Sequence, residues 1–301
     1  MDMAPTEDQS ALVDATAAWC RDNMPLGEAR ARPADLWARL EAMGWTGMTA
    51  PGADFDHASE ALVFAELGRH LAPASLIATA VAARWSGPAG KTALAIFSDS
   101  GKPVRLRLID CCGADRALGL GMAGVVVMRN PPGLHVEPGL DLSSPMAQLD
   151  SPPQGVRLDD PRSGVHLQIL TAAYAVGCAE AACDMAADYA KLRQQFGRPI
   201  GWFQALKHLC ADMAVRSAVA RAQMCYAAAA LDAGDASAAF HAAAAMRLSD
   251  QAALENARAN IQVHGGIGMT DEANAHLCLK RAHLLSFVAP ARRDVILGDR
   301  P

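Results

Sequence analysis

The stretch that most constrains this 301-residue chain is Tyr189–Met213, YAKLRQQFGRPIGWFQALKHLCADM. Its spacing predicts an amphipathic helix that enters a tight corner and a second helix that leaves it. Gly197 can take the positive φ that ends a helix, and Pro199 cannot continue one. From about Gly201 the residues Phe203, Leu206, Leu209 and Met213 recur at helical spacing. Arg193, Gln195 and Phe196 crowd the corner, so a fixed cation, an amide and an aromatic ring share one helix end. An arginine fork suits phosphate oxygens, and the ring offers a face or edge to a base. The same residues also describe a solvated, dipole-stabilised helix end with a core phenylalanine.

A second window, Asn260–Ala282, reads NIQVHGGIGMTDEANAHLCLKRA. Gly265-Gly266-x-Gly268 interrupts an apolar helical run, and a new helix is expected at Thr270 with Asp271 and Glu272 in its first turn. Successive glycine N–H groups can approach an anion closely, with Gln262 adding a side-chain amide. Alone, the pattern is equally that of an inter-helix turn.

The remaining chain divides by texture. Residues 1–86 read as helices, with stripes such as Leu36, Trp37, Leu40 and Met43, then Leu62, Val63, Phe64 and Leu67; Ser75 is placed to cap a fourth. Residues 87–161 carry short strand-like runs at Ala93–Phe97, Val104–Leu108, Gly124–Met128 and Leu134–Val136, a small antiparallel β-domain. Residues 162–301 read as an up-down bundle of four long helices: His166–Gln195, Gly201–Asp232, Asp235 or Ser237 to His264, and Thr270 to just before Pro290. Its alanines allow close approach, and its wide apolar surface suggests an oligomer interface. Gly119-x-Gly121-x-x-Gly124 opens onto Val125-Val126-Val127, a strand, which is the wrong context for a dinucleotide fingerprint.

Totals exclude several classes. A net charge of -5 leaves no electrostatic footprint for nucleic acid. No run approaches the roughly twenty uninterrupted apolar residues of a membrane span. The polar N-terminus lacks the order of a secretory signal. The 8 cysteines have no metal-site spacing and read as free thiols, the adjacent Cys111 and Cys112 included, which points to a reducing, cytoplasmic setting.

Taken together, R-x-x-F-G-x-P-I-x-x-F-Q-x-x-K from Arg193 to Lys207 and Q-x-H-G-G-x-G from Gln262 to Gly268 resemble the acyl-CoA dehydrogenase family. M-G-W-x-G-x-x-x-P at Met43–Pro51 and E-L-G-R-x-L-A-P at Glu66–Pro73 resemble its helical N-terminal domain. The resemblance implies a mainly α fold with a short antiparallel β-domain between two helical parts, and FAD as cofactor. It places Arg193 on the pyrophosphate, Gln195 and Phe196 on the adenine side, and Gln204 beside them. Gln262, Gly265 and Gly266 would close over the phosphates of a neighbouring subunit's cofactor. The family's β-domain is longer, and its Y-x-x-T-E-x-x-x-G-S-D phrase is missing from this chain.

The family reaction removes hydrogens across Cα–Cβ of an acyl-CoA: a carboxylate takes the α-proton and the flavin accepts hydride. At the two positions where members carry that carboxylate, counting gives Ala289 and, between His166 and Gln168, Leu167. Glu272 remains as a candidate base, although helix starts recruit acids for capping. A lone histidine such as His166 is more often a packed or surface residue than a base, and His264, at a helix end near the phosphates, reads as contributing charge or packing rather than proton transfer. The implied function is a subunit of an FAD-dependent acyl-CoA dehydrogenase that completes the FAD site of a larger partner. A self-sufficient homo-oligomer with an atypical base, and a structural subunit that has lost FAD, stay open.

Overall fold

A computed structural model describes residues 5–87, 90–98, 105–291 and 295–296. Four helices come first: α1 (Glu7–Asn23), α2 (Leu36–Ala42), α3 (His57–Arg69) and α4 (Ser75–Trp85). Helix α1 starts in a capping box, in which Thr6 Oγ1 accepts the Gln9 N–H and the Gln9 side chain accepts the Thr6 N–H. Asp56 accepts the Ser59 N–H at 2.7 Å and caps α3. Ser75 does not cap α4 as its position suggested. It is the first helical residue, and both its N–H and its hydroxyl donate to Asp110 on the sheet.

Strands β1 (Thr92–Ser98), β2 (Arg105–Ile109), β3 (Arg116–Gly121), β4 (Gly124–Arg129), β5 (Val136–Glu137), β6 (Met146–Leu149) and β7 (Gly155–Arg157) form one sheet in the order β5-β6-β2-β1-β3-β4-β7. The expected antiparallel sheet is in fact mixed, because β3 returns alongside β1 in parallel while every other pair is antiparallel. Val104, predicted to open a strand, lies outside the described residues. Three strands were missed from sequence: the short β6 and β7, and β3, whose RALGLG lacks the β-branched residues that mark strands. The Gly119–Gly124 pattern is the β3–β4 hairpin, and a Cβ on Gly119 would stand 2.2 Å from the Ala95 carbonyl oxygen.

The C-terminal part holds α5 (Arg162–Leu192), α6 (Gln204–Asp232), α7 (Ala238–His264) and α8 (Ala275–Leu285). Three of these are long and the fourth has 11 residues, which corrects the expected four long helices. Thr270 spends its N–H and its hydroxyl on the Ile267 carbonyl and continues the tight turn, so Asp271 and Glu272 precede α8 instead of opening it. Helix α5 is long and apolar enough by composition to cross a bilayer even though its apolar run is interrupted, and 78% of that window is buried against protein.

Close helix approach builds the core. On α3 and α5 a Cβ at Gly68 would meet the Tyr174 carbonyl oxygen at 2.5 Å, and one at Gly177 the Ala65 carbonyl oxygen at 2.0 Å. Arg281 of α8 is fully buried and joins three segments: its Nε donates to Asp141 at 2.6 Å, its Nη1 to the Ala72 carbonyl at 2.7 Å and its Nη2 to Ser143 and Ser144. The α3–α5 crossing has no room for a methyl group between two backbones. Gly177→Ala should therefore destabilise the chain by about 2–4 kcal/mol, read as a lowered urea midpoint with an unchanged slope.

Candidate functional site

Helix α5 ends at Leu192, three residues earlier than expected. Arg193 turns extended, with its N–H on the Tyr189 carbonyl at 2.9 Å. Gln194–Gln195 then pair with Arg198–Pro199 as a miniature hairpin. Its two-residue loop, Phe196 (φ 52) and Gly197 (φ 77), has the positive dihedrals of a type I′ turn. Gly197 thus makes a hairpin and does not end the helix. Phe196 pays for that geometry in strain, since a non-glycine residue rarely adopts it, and its ring stands 88% exposed against the edge of Phe203.

Helix α7 ends at His264, where Gly265 takes φ 67 and ψ -147 and returns its N–H to the Ile261 and Gln262 carbonyls. A Cβ on Gly268 would lie 2.8 Å from the Ile261 carbonyl oxygen, so the turn needs glycine there as well. The His264 ring stacks on Tyr189 with centroids 4.1 Å apart and planes 23° from parallel, and its Nδ1–H donates to the Asn260 carbonyl. This stack clasps the ends of α5 and α7. Between them opens a cleft of about 460 Å³ lined by Arg193, Gln195, Gly265 and Gly266, with Tyr189 and His264 as its wall. Among the described residues no acidic side chain lines it. A fixed cation, an amide and exposed glycine backbone facing one space form a donor set suited to a diphosphate.

The structure gathers four of the seven residues expected at the cofactor. Phe196, Gln204 and Gln262 are exposed but do not line the cleft; Gln262 contributes its backbone carbonyl to the turn. The two positions expected for a base, Leu167 and Ala289, are both fully buried in the principal hydrophobic core. Glu272 is exposed in the turn before α8 and is not part of the cleft.

Sequence reasoning missed a buried polar chain beside Leu167. Trp85 Nε1–H donates to His166 Nδ1 at 3.0 Å, so His166 carries its proton on Nε2 and donates it to Glu60 Oε2 at 2.7 Å. Thr49 donates to the same oxygen. The His57 ring stands edge-on to His166 at 4.7 Å, and its Nδ1 meets Asp232 at 2.6 Å. Asp232 also accepts the His57 and Ala58 N–H groups at the start of α3. The only sequence signal was a glutamate inside an apolar stripe, which an exposed helix face explains equally well.

Comparison with known proteins agrees with this geometry. The family model for the acyl-CoA dehydrogenase N-terminal domain matches residues 6–87, and that for the acyl-CoA dehydrogenase C-terminal domain matches residues 166–289. The chain is 31% identical over 316 residues to acyl-CoA dehydrogenase IpdE2 of Mycobacterium tuberculosis, covering 98% of this chain and 96% of that one. It is 34% identical to acyl-CoA dehydrogenase FadE34 of the same organism, over 92% of this chain and 45% of that protein. Among solved structures, a chain of the ChsE4–ChsE5 complex from Mycobacterium tuberculosis aligns with a TM-score of 0.76 at 22% identity over 100% of both chains. The glutaryl-coenzyme A dehydrogenase complex with glutaryl-CoA aligns at 0.76 and 21% identity, over 99% of this chain and 96% of that one. This chain belongs to the acyl-CoA dehydrogenase family, a family of oxidoreductases acting on acyl-CoA.

The buried chain makes stability depend on pH. Burial holds His166 below the ordinary imidazole value against the pull of Glu60. Asp232 is held below the ordinary carboxylate range, because hydrogen bonds from His57 and Ala58 outweigh its burial. A histidine kept neutral in the fold is protonated on unfolding once the pH drops below about 6.5, so stability is lost below that point. Asp232 adds a further loss in more acid solution. Each such histidine contributes a loss of up to about 1.4 kcal/mol per pH unit below about pH 6.5, and His70 and His276 are also held low by burial. Asp250, pushed up to about 7 by burial, acts in the opposite sense over the same window, so the His166 contribution is read by difference: His166→Gln should lower the melting temperature more at pH 7 than at pH 5.

Proposed function

We propose that this chain is the cofactor-clamping subunit of an FAD-dependent acyl-CoA dehydrogenase, completing the FAD site of a larger partner subunit that brings the catalytic carboxylate. The observation that carries this reading is one asymmetry: Arg193 and Gly265 form a cleft suited to a diphosphate, whereas both positions expected for a base are filled by buried Leu167 and Ala289. The residues fit one half of the cofactor. Arg193 would hold the pyrophosphate oxygens, the Gly265 and Gly266 backbone would approach them without a side chain in the way, and Gln195 would donate beside them. Phe196, strained and fully presented to the outside, would meet the adenine end from a partner rather than from within this chain. Bound FAD supplies the hydride acceptor for α,β-dehydrogenation of an acyl thioester. The ChsE4–ChsE5 complex supports the heteromeric arrangement, since a chain of the same extent and fold is found there in a complex of two named subunits.

Co-expression of the chain with the larger dehydrogenase subunit should yield a yellow complex that reduces dye with acyl-CoA, while the chain alone should be colourless and inactive. Turnover of acyl-CoA by the chain alone would defeat the partner reading. In the complex, Arg193→Ala removes a charge-assisted contact worth about 1.5–3 kcal/mol, so FAD should bind about ten- to a hundredfold more weakly. Glu272→Gln should leave turnover unchanged; loss of turnover with FAD retained would identify Glu272 as the base of a self-sufficient enzyme.

A further inference from the structure

A cavity of about 500 Å³ lies between the segment ahead of α2, the start of β1 and the loop that follows β5. That volume is in the range of small-molecule sites. Its walls divide by chemistry. Trp37, Val136 and Leu142 supply apolar surface, and Arg30, Arg32 and Lys91 supply cations. Two of the cations are already matched. Lys91 Nζ sits 2.8 Å from Asp110 and 5.1 Å above the Trp37 ring, and Arg30 donates to Asp271 at 2.7 Å. Glu137 lines the cavity as well, exposed and beside His135.

Arg32 is different. Its Nη1 and Nη2 donate to the Pro25 and His70 carbonyls at 2.9 and 2.6 Å, and its Nε–H is buried with no acceptor. Among the described residues no carboxylate stands within ion-pair distance of it, and the guanidinium retains unused donors. A second buried guanidinium, Arg281, presses on it from a site where Asp141 already balances Arg281. Burial and that neighbour push Arg32 down to about 10, with only partial relief from Glu28. A half-buried cation without a counter-charge is costly unless something pairs with it.

We infer that this cavity binds a small organic anion, a carboxylate or phosphate on an apolar body, with its charge on Arg32 and its body against Trp37 and Leu142. No part of the clamp at Arg193 takes part in it. Isothermal titration of the full chain with benzoate and with phenyl phosphate tests the assignment, with benzyl alcohol as the uncharged control. One-to-one saturable binding of either anion, weakened by salt and lacking for benzyl alcohol, is the expected result, and the anion that binds names the charged group. Arg32→Gln should weaken it by about tenfold or more. Ala34→Glu sets a carboxylate on the cavity wall while keeping the Arg32 backbone bonds, and should do the same if Arg32→Gln fails to fold. Arg193→Ala should leave binding unchanged. No saturable binding of either anion, binding that survives Ala34→Glu, or loss of binding in Arg193→Ala would overturn the site.

Discussion

The approach of α3 to α5 at Gly68 and Gly177 sets the rest of the molecule. Backbone meets backbone there, with a carbonyl oxygen in the space a side chain would need, so the crossing has one register and one depth. Helix α5 is then buried along most of its length, and α6, α7 and α8 pack around it. Because an α-helix rises about 1.5 Å per residue, its 31 residues separate its two ends by about 45 Å. One end carries Arg193, and the other carries Leu167 inside the core. A rigid rod therefore holds the proposed diphosphate cleft far from Leu167, the position expected for a base, which supports the proposal that the cleft serves a cofactor seated largely in another subunit.

Polar and charged groups have been moved indoors elsewhere in the fold. Glu60 and His166 occupy the space beside Leu167, and Arg281 with Asp141 ties α8 to the sheet loop. Buried ionic groups seldom add net stability over apolar packing, but each demands its own partners at fixed geometry. Here Trp85, Thr49 and the α3 N-terminus supply those partners, so the polar chain determines how the N-terminal helices seat on the bundle. It also leaves the region around Leu167 and Ala289 filled, where the family's reaction would need an accessible carboxylate.

Much of this was legible from residue order, for identifiable reasons. The Arg193 corner and the glycine turn are local motifs, and local motifs survive in sequence because short-range sterics dictate them. Strands β1, β2 and β4 were visible through β-branched and leucine-rich runs, whereas β3 was hidden by its glycines. The end of α5 was misjudged because Gly197 serves two kinds of turn equally well: a helix stop and a type I′ hairpin both need its positive φ. The length of α8 was misjudged because Thr270 can cap a helix or prolong a tight turn, and a contact with Ile267 decided between them.

Sequence alone determined the family, the helical, then β, then helical order, and the residue types available at each half of the site, since these follow from spacing and side-chain chemistry. Only the tertiary structure decided that Arg193, Gln195, Gly265 and Gly266 share one cleft while Phe196, Gln204 and Gln262 stand outside it. It alone revealed that Arg32 lines a cavity with no ion-pair partner among the described residues, and that Glu60 meets His166. Each of those facts joins residues far apart in the chain, and such meetings are set by helix packing, which no local pattern encodes.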